Sequence, residues 1–220
     1  ISCTMNKSKV LKTLSKIYLT IGILLLFVGF VILSITFYPQ IWYSIDTNAT
    51  DTEITTIETQ VKNLDKEDVK DSRGGNSESN LPPLDSTLPK ENTIRISAIG
   101  VDSVIVQDMN AKGGLEKGIW IVPNYGSPDK NELPIIIAAH RFGYVYWSPE
   151  FRHKSSFYNL PKLKNGDRVQ IIWGQRSYEY EVYKSEDNSQ VTDYDADLIL
   201  YTCRMYNSPV RVFRYLKRIK

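Results

Sequence analysis

Apolar positions along the chain fall into three regimes. The first is Ile17–Tyr38, 22 residues without a charge, dominated by Ile, Leu, Val, Phe and Gly. As a helix this stretch rises about 33 Å, enough to cross the hydrocarbon core of a bilayer. A core helix of a water-soluble domain would be shorter and would carry a polar face. A cleaved signal peptide has an apolar region of about 7–15 residues ending at a small-x-small site, and the exit here, Ser34-Ile35-Thr36-Phe37-Tyr38-Pro39, offers no such site. The segment is therefore expected to be an uncleaved transmembrane anchor, preceded by residues 1–16.

In the second regime, residues 39–91, apolar positions thin out among Thr, Asp, Glu and Asn, with Arg73-Gly74-Gly75 and then Pro82, Pro83 and Pro89. That composition cannot bury a core and reads as a flexible tether. Ile57, Val61 and Leu64 sit at helical spacing and allow one short helix within it. Trp42 and Tyr43, just past Pro39, suit an interfacial aromatic anchor.

The third regime, residues 92–220, is built of short apolar runs. Ile94, Ile96 and Ala98 alternate with polar residues, the period of a half-buried strand. Further runs are Val104–Gln107, Gly118–Val122, Pro134–Ala139, Arg168–Trp173, Tyr178–Tyr183, Asp197–Thr202 and Val210–Leu216. Turn chemistry separates most of them: Lys112-Gly113-Gly114, Pro123-Asn124-Tyr125-Gly126, Asn165-Gly166-Asp167 and Asn207-Ser208-Pro209. About eight short strands with little helical periodicity predict an all-β domain, a closed barrel or a sandwich. The irregular stretch Arg141–Lys164 is expected to hold a short helix or two.

Charge adds direction. The net +2 divides into +4 for residues 1–45, −6 for 46–91 and +4 for 92–220. Lys7, Lys9, Lys12 and Lys16 precede the apolar segment, and no Lys or Arg follows it until Lys62. The positive-inside bias then puts the N-terminus in the cytoplasm and everything after Tyr38 outside the cell membrane. The mild excess on the last segment forms no basic run, so no nucleic-acid partner is expected.

The two cysteines, Cys3 and Cys203, flank the apolar segment and cannot pair within one chain across a membrane. Cys3 precedes Met5, and the residues ahead of that methionine read as an over-extended gene start. Cys203 is thus a lone thiol at the end of Leu198-Ile199-Leu200-Tyr201-Thr202. A strand cysteine is ordinarily a small buried hydrophobe, but a free thiol outside the cytoplasm carries an oxidation hazard that a structural role does not require. His140 ends a second apolar run, Ile135–Ala139, while His153 lies in a polar stretch and reads as surface. Arg211 opens the strand that returns after Cys203, where it would face the sulfur; Arg204, Arg214 and Arg218 compete by proximity in sequence. Thiol, imidazole and guanidinium form a coherent chemical set. The thiolate attacks an amide, the imidazole gives a proton to the leaving amine, and the cation holds the oxyanion. Nothing in this chemistry calls for a metal or an organic cofactor.

These residues resemble a known family. LILYTCRMYNSPVRVFRY, residues 198–215, is similar to the sortase signature Thr-Leu-x-Thr-Cys followed by an arginine one loop later. Supporting matches are FYNLPKLKNGDRVQI, residues 157–171, and GIWIVPNY, residues 118–125. The sequence departs from the pattern at Ile199, where the family has Thr, and at Ala139, where it has Gly before the histidine. It also has a trimmed segment between Tyr183 and Cys203. The resemblance implies an eight-stranded sortase β-barrel with Cys203 as nucleophile, His140 as acid and Arg211 as the essential arginine. It further implies a transpeptidase that cleaves LPxTG-like sorting signals of secreted proteins through a thioester. The acceptor would be an amine of a peptidoglycan precursor or a pilin lysine. Ile137, Tyr144, Trp147 and Tyr201 are candidate groove residues. A cysteine endopeptidase and a non-catalytic surface module of the same fold are the alternatives.

Overall fold

In a computed structural model the described residues are 7–45, 81–130, 133–144, 146–205 and 208–220, with side chains of the first segment described for 10–34. Cys3, the tether over 46–80 and the side chains of Trp42 and Tyr43 lie outside the described residues. The N-terminal unit is one helix, α1 (Lys7–Ile45), which continues past Tyr38. Within it Val10–Ser34 is long and apolar enough to cross a membrane, and none of these residues is buried.

The C-terminal unit is a closed barrel of eight strands. These are β1 (Thr93–Ile96), β2 (Val101–Val106), β3 (Ile119–Ile121), β4 (Ile135–Ala138), β5 (Arg168–Trp173), β6 (Arg176–Asn188), β7 (Leu198–Cys203) and β8 (Arg211–Arg218), in the spatial order β1-β2-β3-β4-β7-β8-β6-β5. Two neighbours are parallel, β2 with β3 and β4 with β7. A parallel pair needs a crossover, and the first is made through a short helix, α2 (Ala111–Glu116). Asn110 caps it, accepting from the Lys112 N–H at 2.8 Å. The Lys112-Gly113-Gly114 turn expected from sequence is thus the first turn of a helix. Gly114 is needed there because a Cβ would come within 2.1 Å of Trp120, whose indole donates to the Asp108 carbonyl. A second helix, α3 (Pro149–Ser155), and a 3-10 turn at Leu160–Lys162 fill the stretch read as irregular.

Side-chain alternation sorts the apolar residues into two layers. Ile135, Ile137, Leu198, Leu200, Val212 and Leu216 fill the barrel interior with Ile94, Val169 and Tyr178. The opposite faces of the same strands carry Ile136, Ala138, Ile199, Tyr201, Phe213 and Tyr215, packed with Trp120 under α2 and residues Val191–Ala196. Both faces of β4 and β7 are therefore covered, which is why they read as unbroken apolar runs. Tyr201 meets Phe213 at 5.6 Å between ring centres, and Phe213 stacks on Tyr215 at 6.0 Å.

Gly174 and Gln175, at φ 54 and 55, turn the β5–β6 hairpin, both central residues being left-handed as a two-residue primed turn demands. That turn also clasps residues 82–92. The Asp85 N–H donates to the Gln175 carbonyl at 2.9 Å, the Gln175 amide to the Ser86 and Leu88 carbonyls, and Arg176 to the Pro82 carbonyl. The Gly174 N–H donates to Asn92 Oδ1 at 3.0 Å.

Candidate active site

Strand ends build the site. In the antiparallel β7–β8 pair Cys203 lies directly opposite Arg211. In the parallel β4–β7 pair Ala138 lies opposite Tyr201, so the same offset brings His140 level with Cys203 two residues beyond the ladder. The join is held by a hydrogen bond of 2.8 Å from Thr202 Oγ1 to the Ala139 carbonyl. On the far side β6 pairs with β8 so that Asn188 faces Arg211. One rim of the barrel thus carries the row His140, Cys203, Arg211, Asn188, across four adjacent chain segments.

Burial holds these groups without sealing them in uniform apolar surroundings. His140 is fully buried, Cys203 is 5% exposed and Arg211 2%. The His140 carbonyl accepts from the Phe157 N–H at 2.9 Å, and its ring Nε2 contacts Tyr144 Oη at 3.3 Å. Beyond Cys203, the Arg204 N–H donates to the Val210 carbonyl at 3.0 Å and closes the β7–β8 connection. Arg211 Nη1 donates to the Ser208 carbonyl at 2.5 Å, which turns the guanidinium back along that connection. Its Nε is buried with no acceptor among the described residues. An orphaned buried donor on a charged group costs several times the net worth of an ordinary hydrogen bond, and calls for an explanation.

The other arginines are engaged elsewhere. Arg214 donates to the carbonyls of Leu163, Phe213 and Pro161 at 2.7, 2.8 and 2.8 Å, pinning the 3-10 turn. Arg204 pairs with Asp187, and Arg218 lies over the Tyr178 ring at 4.7 Å, at the opposite end of β8. Arg141 is a second cation at the site that sequence reasoning passed over. It donates to the Arg204 carbonyl, and its ordinary pKa is lowered by burial and by Arg204, against the opposing pull of Tyr158 and Cys203. The signal for it was its position directly after His140. His153 is exposed on α3, against Gly100, as its polar surroundings imply. Among the proposed groove residues, Ile137 turns into the barrel interior and is set aside, because alternation places its side chain opposite to Ala138. Tyr201 lies on the outer layer, and Tyr144 and Trp147 stand edge-on to His140 at 5.0 and 6.2 Å. Among the described residues, no three His, Cys, Asp or Glu side chains are grouped to hold a metal ion.

Residues 94–219 match the sortase domain family, which is more than half the chain. The chain belongs to the sortase family. A sortase domain is in general that of a cysteine transpeptidase, and the closed eight-stranded barrel is the sortase fold. Among solved structures the chain is similar to sortase C1 of Streptococcus suis, at 21% identity over 60% of this chain and 73% of that one, with a TM-score of 0.47. It is likewise similar to the sortase D5 transpeptidase of Clostridium perfringens, at 19% over 79% and 100% with a TM-score of 0.45. Sortase A of Listeria monocytogenes is a third, at 15% over 60% and 89% with a TM-score of 0.47. These sortases span classes C, D and A, and the likeness selects no subclass. No curated protein matches the chain.

Proposed function

We propose that this sortase is a membrane-anchored transpeptidase that cleaves an LPxTG-like signal near the C-terminus of secreted proteins and passes them to an amine. The observation that carries the reading is the pairing of Cys203 with Arg211 on the rim where β4 delivers His140. In the first step the Cys203 thiolate attacks the threonyl carbonyl. Charge builds on the carbonyl oxygen, and the Arg211 guanidinium stabilises it. The C–N bond then breaks as protonated His140 gives its proton to the departing glycyl nitrogen, leaving a thioester on Cys203. An incoming amine attacks the thioester, loses a proton to His140 and leaves as the new amide, which restores the thiolate and the imidazolium. Arg141 adds positive charge beside the sulfur and favours its anionic form.

The acceptor is a primary amine of a peptidoglycan precursor or a lysine of a pilin subunit. Helix α1 is the anchor, with its lysine-flanked N-terminus in the cytoplasm and the barrel outside, reached through the residues between Ile45 and Leu81 as a tether.

The test is to incubate the full chain in detergent with a labelled LPxTG peptide panel, with and without an amine. Amine-dependent ligation product is the expected result, and it is absent in Cys203→Ala. Hydrolysis indifferent to the amine would make the protein an endopeptidase instead. Peptide binding without turnover, equal in wild type and Cys203→Ala, would reduce it to a binding module.

A further inference from the structure

The loop that follows β4 is built around a contact that the chemistry above does not use. Tyr144 Oη sits 3.3 Å from His140 Nε2, with its ring edge-on to the imidazole at 5.0 Å. Four separate features hold the tyrosine there. Gly143 adopts φ 70, and a Cβ on it would come within 2.4 Å of the Trp147 ring, so only glycine admits the turn. The Trp147 N–H closes that turn on the Tyr144 carbonyl at 3.1 Å. Arg152 reaches from α3 to the same carbonyl at 2.8 Å. The Tyr144 ring is clamped between Tyr146, stacked at 5.2 Å, and Trp147 at 5.4 Å. A loop of this construction places one hydroxyl rather than merely covering a surface.

An imidazole has two nitrogens on opposite sides of its ring, and the partner of one decides the work of the other. We infer that Tyr144 is a positioning residue whose oxygen accepts the Nε2–H proton of His140, so that Nδ1 exchanges protons with Cys203 and the leaving amine. The inference rests on the proposed transpeptidase reading. Protons balance throughout. Neutral His140, held as the Nε2–H tautomer, takes the thiol proton on Nδ1 to give thiolate and imidazolium. The imidazolium returns that same Nδ1 proton to the departing nitrogen, and Nε2–H stays on Tyr144 through both steps. A neutral phenol fits this place. It orients the ring as a carboxylate would, without adding a negative charge beside a thiolate.

Tyr144→Phe removes the hydroxyl and keeps the ring between Tyr146 and Trp147. The chain has two histidines, His140 and His153, so 15N shifts of the full chain in detergent are assignable with His153→Gln. At a pH where the ring is neutral, the wild type is expected to carry its proton on Nε2, and Tyr144→Phe to show a mixture of tautomers. In ligation of the labelled peptide, kcat is expected to fall about tenfold with KM within about twofold, the scale of one hydrogen bond to a charged group. If no peptide is turned over, iodoacetamide alkylation of Cys203 carries the same comparison without a sorting signal. Tyr144→Phe is then expected to react several-fold more slowly. A wild-type proton on Nδ1, an unchanged kcat, a loss confined to KM, or equal alkylation rates would each overturn the assignment.

Discussion

Arg211 and Arg214 are both buried arginines of β8, three residues apart, and they face opposite sides of the sheet. Their hydrogen bonds divide their roles. Arg214 satisfies three carbonyls, so removing it leaves acceptors unpaired in the interior, an effect of about 2–4 kcal/mol on stability. Among the described residues Arg211 bonds the Ser208 carbonyl and its Nε has no acceptor, so its burial is not explained by the contacts described. Arg211→Ala is accordingly expected to lower ligation kcat by about a hundredfold or more while its melting temperature moves little. Arg214→Ala is expected to melt well below the wild type and, when folded, to retain most of its kcat. Turnover and melting curves measured on both variants separate these outcomes, and the reverse pattern would move the oxyanion role to Arg214. Arg211→Lys is expected to recover little, because an ammonium cannot occupy the same donor geometry.

At the scale of elements, the least legible part of the fold is the far half of β6. Sequence periodicity ends the strand at Tyr183, because Lys184-Ser185-Glu186-Asp187-Asn188 has no apolar alternation. The ladder to β8 carries the strand on to Asn188 past a bulge after Val182, and polar side chains on the solvent side do not oppose it. Alternation reports burial rather than pairing, so it fails where pairing continues without burial. The same limit hid α2, whose Gly113 and Gly114 imitate a turn and whose glycine requirement comes from Trp120, distant in the reading but adjacent in the fold. Strands buried on both faces, β4 and β7, were legible, and with them the positions of His140 and Cys203. The extended end of β6 also anchors the segment leading into β7. Glu186 accepts from Tyr215 Oη at 2.7 Å and from Thr192, and Lys184 Nζ lies 3.4 Å from it and 2.9 Å from Thr192 Oγ1. Burial raises the Glu186 pKa, but the bonds from Thr192, Tyr215 and Lys184 together outweigh it and the carboxyl ends below its reference value of 4.5. A depressed carboxylate contributes stability that is full above the unfolded pKa and is lost as pH falls through the folded one. Glu186→Gln should therefore melt about 3–5 °C lower than wild type at pH 7, for about 1 kcal/mol, with the gap closing as pH drops below about 4. A gap that persisted unchanged at pH 3 would mean the carboxylate charge is not what holds the segment.

For the whole molecule, the open question is where the folded body begins. Composition marks residues up to 91 as tether, since Pro82, Pro83 and Pro89 break every periodic pattern and Leu84 is exposed. Yet a segment need not carry a core to be fixed. Residues 82–92 are tied to the β5–β6 hairpin by the Asp85, Gln175, Arg176 and Gly174 bonds, and within the segment Asp85 accepts from the Thr87 N–H at 2.9 Å. Prolines help here, because a chain with fewer unfolded conformations loses less entropy when it is pinned. Four of the bonds to the hairpin, all but the one to Asn92, are lost when the chain starts at Asn92; at about 0.5–1 kcal/mol each they add roughly 2–4 kcal/mol to the barrel. A chain starting at Leu81 should then melt roughly 5–10 °C above one starting at Asn92, and Gln175→Ala in the longer chain should erase a good part of that gap. If the two truncations melt together, residues 81–91 belong to the tether after all, and the strain at Gln175 serves the hairpin alone.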